Sequence, residues 1–334
     1  MGNGFYTQRR VPAEANRLRF APPPMVAPPG RKRPGLALTL FALTVLSTLF
    51  VGVVWTQAYQ RNLPFDPSDI YSLEVVRQVT AEPWLLLSGW PFAVTLIGIL
   101  LAHELGHYFA CRTYGIVSSY PYFLPFPNLI GTLGAFIRIQ SPIVHRRALF
   151  DVGIAGPLVG FVLAVPALAY GIAHSKILPQ AAQESPILFG NPPLVWLFAK
   201  LFYPGVPVEH IFLHPVGRAA WVALFATALN LLPIGQLDGG HIVYAVAARS
   251  HRLLSRVFLL ALLVAGLFGF LYPEKIWWGW LIFAVFLFWI GPRHPAVLDP
   301  GLPLDRPRLW VAVLALLVFA VCFTPVPIHV PAQP

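Results

Sequence analysis

The residues from Gly35 to Trp55 form a run of 21 without a single charge, and no other feature limits the fold of this chain as strongly. At 1.5 Å per residue such a helix is about 32 Å long, enough for the roughly 30 Å hydrocarbon core of a bilayer. A signal peptide has a shorter apolar core and a small-residue cleavage site, so the run reads as an uncleaved anchor. Further apolar runs lie at Pro91–Cys111 (with Trp84 an alternative start), Leu149–Ala173, Gly217–Leu232, Val257–Tyr272, Ile276–Ile290 and Leu309–Phe323. The expectation is an all-α polytopic membrane protein with about seven transmembrane helices. Only 11% of the residues are charged, against roughly a quarter in soluble domains, which excludes a soluble globular protein. Residues 120–140 and 189–203 are apolar but broken by Pro and Gly, and suit re-entrant or interfacial segments.

The formal charge is +10, but its distribution argues for orientation in a membrane and against a nucleic-acid partner. With the N-terminus in the cytoplasm, 17 of the 23 Lys and Arg residues face that side, as the positive-inside bias demands. The other side keeps Arg61, Arg77, Lys176, Lys200, Arg218 and Lys275. The expectation is a multi-pass protein of the cell (cytoplasmic) membrane with the lipid bilayer as its first partner. Residues 1–34, rich in Pro and Arg, read as a disordered basic tail, and residues 35–57 as the first anchor. The two cysteines, Cys111 and Cys322, can build neither a disulfide framework nor a thiolate zinc site.

Charges flanked by apolar sequence are costly unless paired or metal-bound, which marks Glu104, Asp238 and Asp151 as functional candidates. Glu104 lies in His103-Glu-Leu-Gly-His107. On a helix residues i and i+4 share a face, so both imidazoles can reach one Zn²⁺. Glu104, about 100° round the helix, can hold and deprotonate a water without being a ligand. Two histidines under-coordinate a catalytic zinc, which takes three protein ligands and a water. Asp238, in Asn230-Leu-Leu-Pro-Ile-Gly-Gln-Leu-Asp238-Gly-Gly-His241, is the best third ligand. The competing reading is that Asp238 only caps the helix that follows.

The remaining histidines carry less. His210 and His214 are also four apart but have no Glu between them and read as solvated or interfacial. His241 more naturally starts a helix, and His145 sits among arginines where a headgroup contact is the default. The stretch from Gly131 to Gln140 alternates and is rich in β-branched residues, which suggests a short hairpin beside the site. An unwound substrate could add to its edge, with Gly134, Ala135 and Phe136 as candidate substrate-binding positions; a purely structural loop is the alternative.

With these residues in place the chain resembles the site-2 proteases, the intramembrane zinc metalloproteases. The likeness rests on HELGH at 103–107 and on NLLPIGQLDGG at 230–240, similar to that family's N-x-x-P-x-x-x-L-D-G element, and it covers roughly residues 84–250. It implies a metalloprotease core over 84–250; the C-terminal transmembrane helices and short tail over 251–334 lie outside the likeness. It further implies one Zn²⁺ per chain held by His103, His107 and Asp238, Glu104 as catalytic base and acid, and Asn230 near the scissile peptide. The hairpin would present the substrate, a transmembrane segment of another protein, and no stretch of this chain suits the PDZ or CBS modules of many relatives. A zinc transporter or metal sensor with the same ligands is the alternative from another class; it has no need of Glu104 as a base. A protease of the prenyl-protein-processing type shares H-E-x-x-H but usually takes a Glu as third ligand. The sequence sets no oligomeric state.

Overall fold

The computed structural model describes residues 33–179, 185–273, 275–291, 297 and 303–329. Of the expected N-terminal tail, residues 1–32 lie outside the described residues, as does Arg293 of the cytoplasmic set.

Helix α1 (Pro34–Arg61) starts with proline in its first turn and stops at Asn62, whose φ of 57° is a left-handed conformation that asparagine tolerates. A short amphipathic helix α2 (Leu73–Ala81) and a 3₁₀ turn (Pro83–Gly89) lead into α3 (Trp90–Thr113), which carries the HELGH sequence. A small antiparallel ribbon follows, β1 (Tyr122–Pro125) paired with β2 (Thr132–Phe136). The chain then forms α4 (Arg146–Ala173), α5 (Pro193–Phe202), α6 (Pro215–Asn230), α7 (Asp238–Leu271), α8 (Gly279–Ile290) and α9 (Arg306–Cys322). Two further strand pairs, two residues per strand, join Lys176–Ile177 to Ile211–Phe212 and Leu188–Phe189 to Ile328–His329.

The interior is organised around α4, which packs against α3, α6 and the start of α7, while α8 lies along the later part of α7. Lipid is as apolar as leucine, so helices in a bilayer associate through close backbone approach. Gly106 of α3 provides it: a Cβ there would stand 2.7 Å from the Ala155 carbonyl oxygen of α4. Pro157 and Pro166 interrupt the hydrogen-bond ladder of α4 without ending it, as is common in helices enclosed by neighbours. Large apolar side chains such as Trp289 and Trp310 remain exposed on the outer helices, where lipid would cover them.

Among the described residues, four helical stretches are long and apolar enough to span a bilayer: Pro34–Arg61, Pro83–Thr113, Arg146–Ala173 and Asp238–Leu271. The expected runs at 217–232, 276–290 and 309–323 fold into helices of 16, 12 and 17 residues. These extend about 18–26 Å, short of a full hydrocarbon core. The run at 257–272 does not form a separate element. It is the second part of α7, which bends at Ala247 (φ −140°, ψ 65°) and continues.

The hairpin also differs from expectation. The alternating stretch of 131–140 supplies only its second strand, and the first strand lies upstream at Tyr122–Pro125. The turn between them is set by Asn128, whose Oδ1 accepts the Ile130 and Gly131 amides, and by Gly131 at φ 78°. The ribbon is prolonged by a Ser118–Ile139 bridge. Arg218, counted above on the side away from the cytoplasm, is buried in the first turn of α6.

Candidate metal centre

His103 and His107 stand one turn apart on the buried face of α3. The chain leaves α6 at Asn230, turns through residues 231–237, and starts α7 at Asp238. The two glycines after Asp238 are required by this turn. A Cβ on Gly239 would lie 2.0 Å from the Leu231 carbonyl oxygen, and one on Gly240 would lie 2.4 Å from that of Gly235. The turn folds so tightly over the helix start that only glycine fits, which delivers the preceding carboxylate to the histidines. Leu237 occupies the cap position of α7, and no side chain caps the helix; the Asp238 carboxylate is turned to the imidazoles.

Three donor atoms converge. Asp238 Oδ2 lies 3.4 Å from both His103 Nε2 and His107 Nε2, and the two Nε2 atoms are 3.1 Å apart. Ligands of a tetrahedral zinc bound at 2.0–2.1 Å are separated by about 3.3–3.4 Å, so the triangle fits that ion and leaves its fourth side open. The lone-pair direction is set from behind. His107 Nδ1 lies 2.7 Å from the Val152 carbonyl of α4; with its proton donated there, Nε2 presents a bare lone pair to the site. Three electron-pair donors this close together suit a cation held between them. Among the described residues this is the one group of three His, Cys, Asp or Glu side chains so placed.

Glu104 stands outside the triangle. Its Oε1 is 4.0 Å from His103 Nε2, and it lines the same cavity as Ile137, just beyond β2. Asn230 reaches in from the end of α6, its Nδ2 3.3 Å from His103 Nε2. Ala135, Phe136, Ile137 and Ile139 form the opposite wall of a cavity of about 200 Å³ that holds all these groups. Gly134 lies beside that wall but does not line it.

Several contributors have no mark in the sequence motifs. The Val152 carbonyl is a backbone atom. Gly156 and Gly160 on α4 make room for the imidazoles, since a Cβ would stand 2.1 Å from His107 Nε2 and 3.3 Å from His103 Nδ1 respectively; their spacing along one helix face was the signal available. Gln236 and His241 also line the cavity. Asp151 is not at the metal site. It is clamped by Arg308 of α9 through Nε (2.8 Å) and Nη2 (2.6 Å), and it accepts the Tyr114 hydroxyl from the end of α3. His210 and His214 stand apart from the triangle, at the other end of α6.

A buried two-histidine, one-carboxylate triangle with an unligated glutamate beside it, set among apolar helices, defines a membrane-embedded metallopeptidase class of site. The chain belongs to peptidase family M50, the site-2 proteases, whose family model matches residues 91–272. It is 34% identical over 219 residues to the probable zinc metalloprotease EGY1, chloroplastic, of Arabidopsis thaliana, covering 62% of this chain and 39% of that protein. The rice EGY1 (Oryza sativa subsp. japonica) is 29% identical over 305 residues, 88% of this chain and 50% of the relative. The probable zinc metalloprotease EGY2 of Oryza sativa subsp. indica is 32% identical over 218 residues, 65% and 39%. The chain thus spans half or less of the length of these relatives.

Proposed function

We propose that this chain is an intramembrane zinc metalloprotease that hydrolyses peptide bonds in or near the transmembrane segments of other membrane proteins. The single observation that carries the reading is the donor triangle with Glu104 held beside it but out of ligand range. A carrier or sensor needs the triangle; it has no use for the fixed glutamate. Bound Zn²⁺ supplies Lewis acidity, polarising the scissile carbonyl and lowering the pKa of a water toward neutrality.

The protein's own groups do the rest. His103, His107 and Asp238 hold the ion, and Val152 keeps His107 in the productive tautomer. Glu104 takes the proton of the attacking water and passes it to the leaving amide nitrogen. Asn230, beside the open side, donates its amide to the substrate backbone or to the oxygen on which negative charge develops. A helical substrate hides its peptide bonds, so it must unwind locally. The edge of β2 away from β1 has no strand partner among the described residues, and pairing there with an extended segment offsets the lost helical bonds.

The organisation proposed above stays with this function: an N-terminal basic tail, an anchor at 35–57, the protease core at 84–250 and C-terminal helices beyond. Seven helices in the bilayer, three of them shorter than its core, a re-entrant hairpin and residence in the cell membrane belong to the same proposal, with a cytoplasmic N-terminus supported by the 17 to 6 split of basic residues. Cysteine labelling in the 58–82 loop tests the orientation: reagent should reach it from outside, and reaction only from the cytoplasm overturns it. Activity is tested with zinc-loaded protein in vesicles containing single-span proteins. Fragments ending within or beside the span, lost on chelation, are expected. A preparation with one zinc per chain that cuts no membrane-spanning protein would move the assignment to a carrier or sensor.

A further inference from the structure

A second buried charge lies far from the metal centre. Arg218 is in the first turn of α6, about 18 Å along the helix from Asn230. Only 8% of its surface is exposed, and its Nε has no hydrogen-bond partner. Among the described residues no Asp or Glu forms an ion pair with it. The rings of Phe189 and Trp55 lie 4.1 and 5.1 Å from its Cζ. Ring faces ease the burial of a cation, but they leave the in-plane N–H donors of the guanidinium without acceptors. An unpaired charge is among the costliest groups to bury, which is why buried charges are ordinarily paired.

Arg218 lines a cavity of about 230 Å³. The other walls are mostly apolar, with Phe65, Ile172, Val195 and Ile211 prominent. The Ser185 hydroxyl already donates to the Ile187 carbonyl at 2.6 Å, and Glu209 lies at the exposed rim. One unpaired positive charge in an apolar chamber matches one negative charge on an apolar body. The planar fork of the guanidinium suits a carboxylate, which it can grip by two parallel hydrogen bonds. Phosphate carries more charge and a tighter hydration shell than these walls can replace.

We infer that this cavity binds a small monocarboxylate with a short apolar tail, the carboxylate on Arg218 and the tail against Phe65, Ile172 and Val195. The occupant would tie together α1, α5 and α6, which contribute Trp55, Val195 and Arg218 to one chamber.

The test uses the full chain in a neutral detergent and a carboxylate-free buffer, with thermal unfolding followed against added hexanoate, hexanamide or inorganic phosphate. Hexanoate should raise the midpoint saturably, by roughly 3 °C or more. Hexanamide, which partitions into micelles without a charge, and phosphate should not. Arg218→Met should abolish the hexanoate response, and Arg218→Lys should keep a weaker one. The comparison of three ligands on the parent protein stands even where Arg218→Met fails to fold. An equal response to hexanamide, a response to phosphate as large as that to hexanoate, no hexanoate response, or an undiminished response in a folded Arg218→Met protein would each overturn the inference.

Discussion

Two pairs of histidines stand four residues apart in this chain, and they have different fates. His103 and His107 share one face of a long helix and meet a carboxylate from another. His210 and His214 fall on a 3₁₀ turn and at the cap of α6. There His214 Nδ1 accepts the Val216 amide at 3.2 Å, and its ring packs on Tyr59, Tyr170 and His174. Spacing alone does not make a metal site. The first pair has a regular helix to align it, glycines on α4 to admit the rings, a backbone carbonyl to fix one tautomer and a tight turn to deliver Asp238. The second has a lone pair already spent on a helix cap and aromatic neighbours with no charge to offer a cation.

The largest effect that sharpens this contrast is expected at the third ligand. Asp238→Asn should lose zinc and cleavage together, by more than the roughly 10–100-fold in affinity that removal of an outer-shell partner costs. Metal analysis of the same preparation checks it, while a His210→Ala, His214→Ala double variant should keep one zinc per chain. Next comes the glycine behind His107. A methyl at Gly156 meets Nε2 at 2.1 Å, so Gly156→Ala should weaken zinc binding by about 10–100-fold by pushing the ring off line; zinc titration against a competing chelator measures it.

A smaller effect is expected at Arg308, which pins Asp151 one residue before the Val152 carbonyl. Its ion pairs are partly exposed, so Arg308→Gln should cost about 1 kcal/mol of stability, read by thermal unfolding, with zinc content unchanged. The smallest concerns the second histidine pair. Burial, with a contribution from His174, lowers the pKa of His214 below its ordinary 6.5. The folded chain therefore holds this proton less tightly than the unfolded chain, so stability is complete above about pH 6.5 and falls as the pH drops below it. The loss should be about 1 kcal/mol or less, the worth of a helix cap. Unfolding curves at pH 7.5 and 5.5 should differ less in His214→Asn, because asparagine caps without titrating.

The sequence made the chemistry legible wherever a short motif lies on one element. HELGH needs only a helix to align its histidines, and the glycines of LDGG mark a turn that no larger residue could make. Across elements it was less informative. The first strand of the ribbon, Tyr122–Pro125, is flanked by Pro121 and Pro127, which disguise it as loop. The Val152 carbonyl has no residue signature, and Gly156 and Gly160 were absorbed into an apolar run. Hydropathy also counted runs rather than helix lengths. It could not show that α6, α8 and α9 are shorter than a bilayer core, or that α7 continues through its arginines as one bent helix. Arg218, at the edge of an apolar run, carried no sequence mark of the enclosure that the fold gives it.

The central claim, that Glu104 acts on the proton while the triangle holds the metal, is tested most directly by Glu104→Gln. Zinc content and cleavage of a membrane-spanning substrate are measured on one preparation. The variant should retain about one zinc per chain and lose cleavage by roughly two to four orders of magnitude. Normal cleavage by a zinc-loaded Glu104→Gln protein, or loss of the metal with the glutamate, would contradict the account.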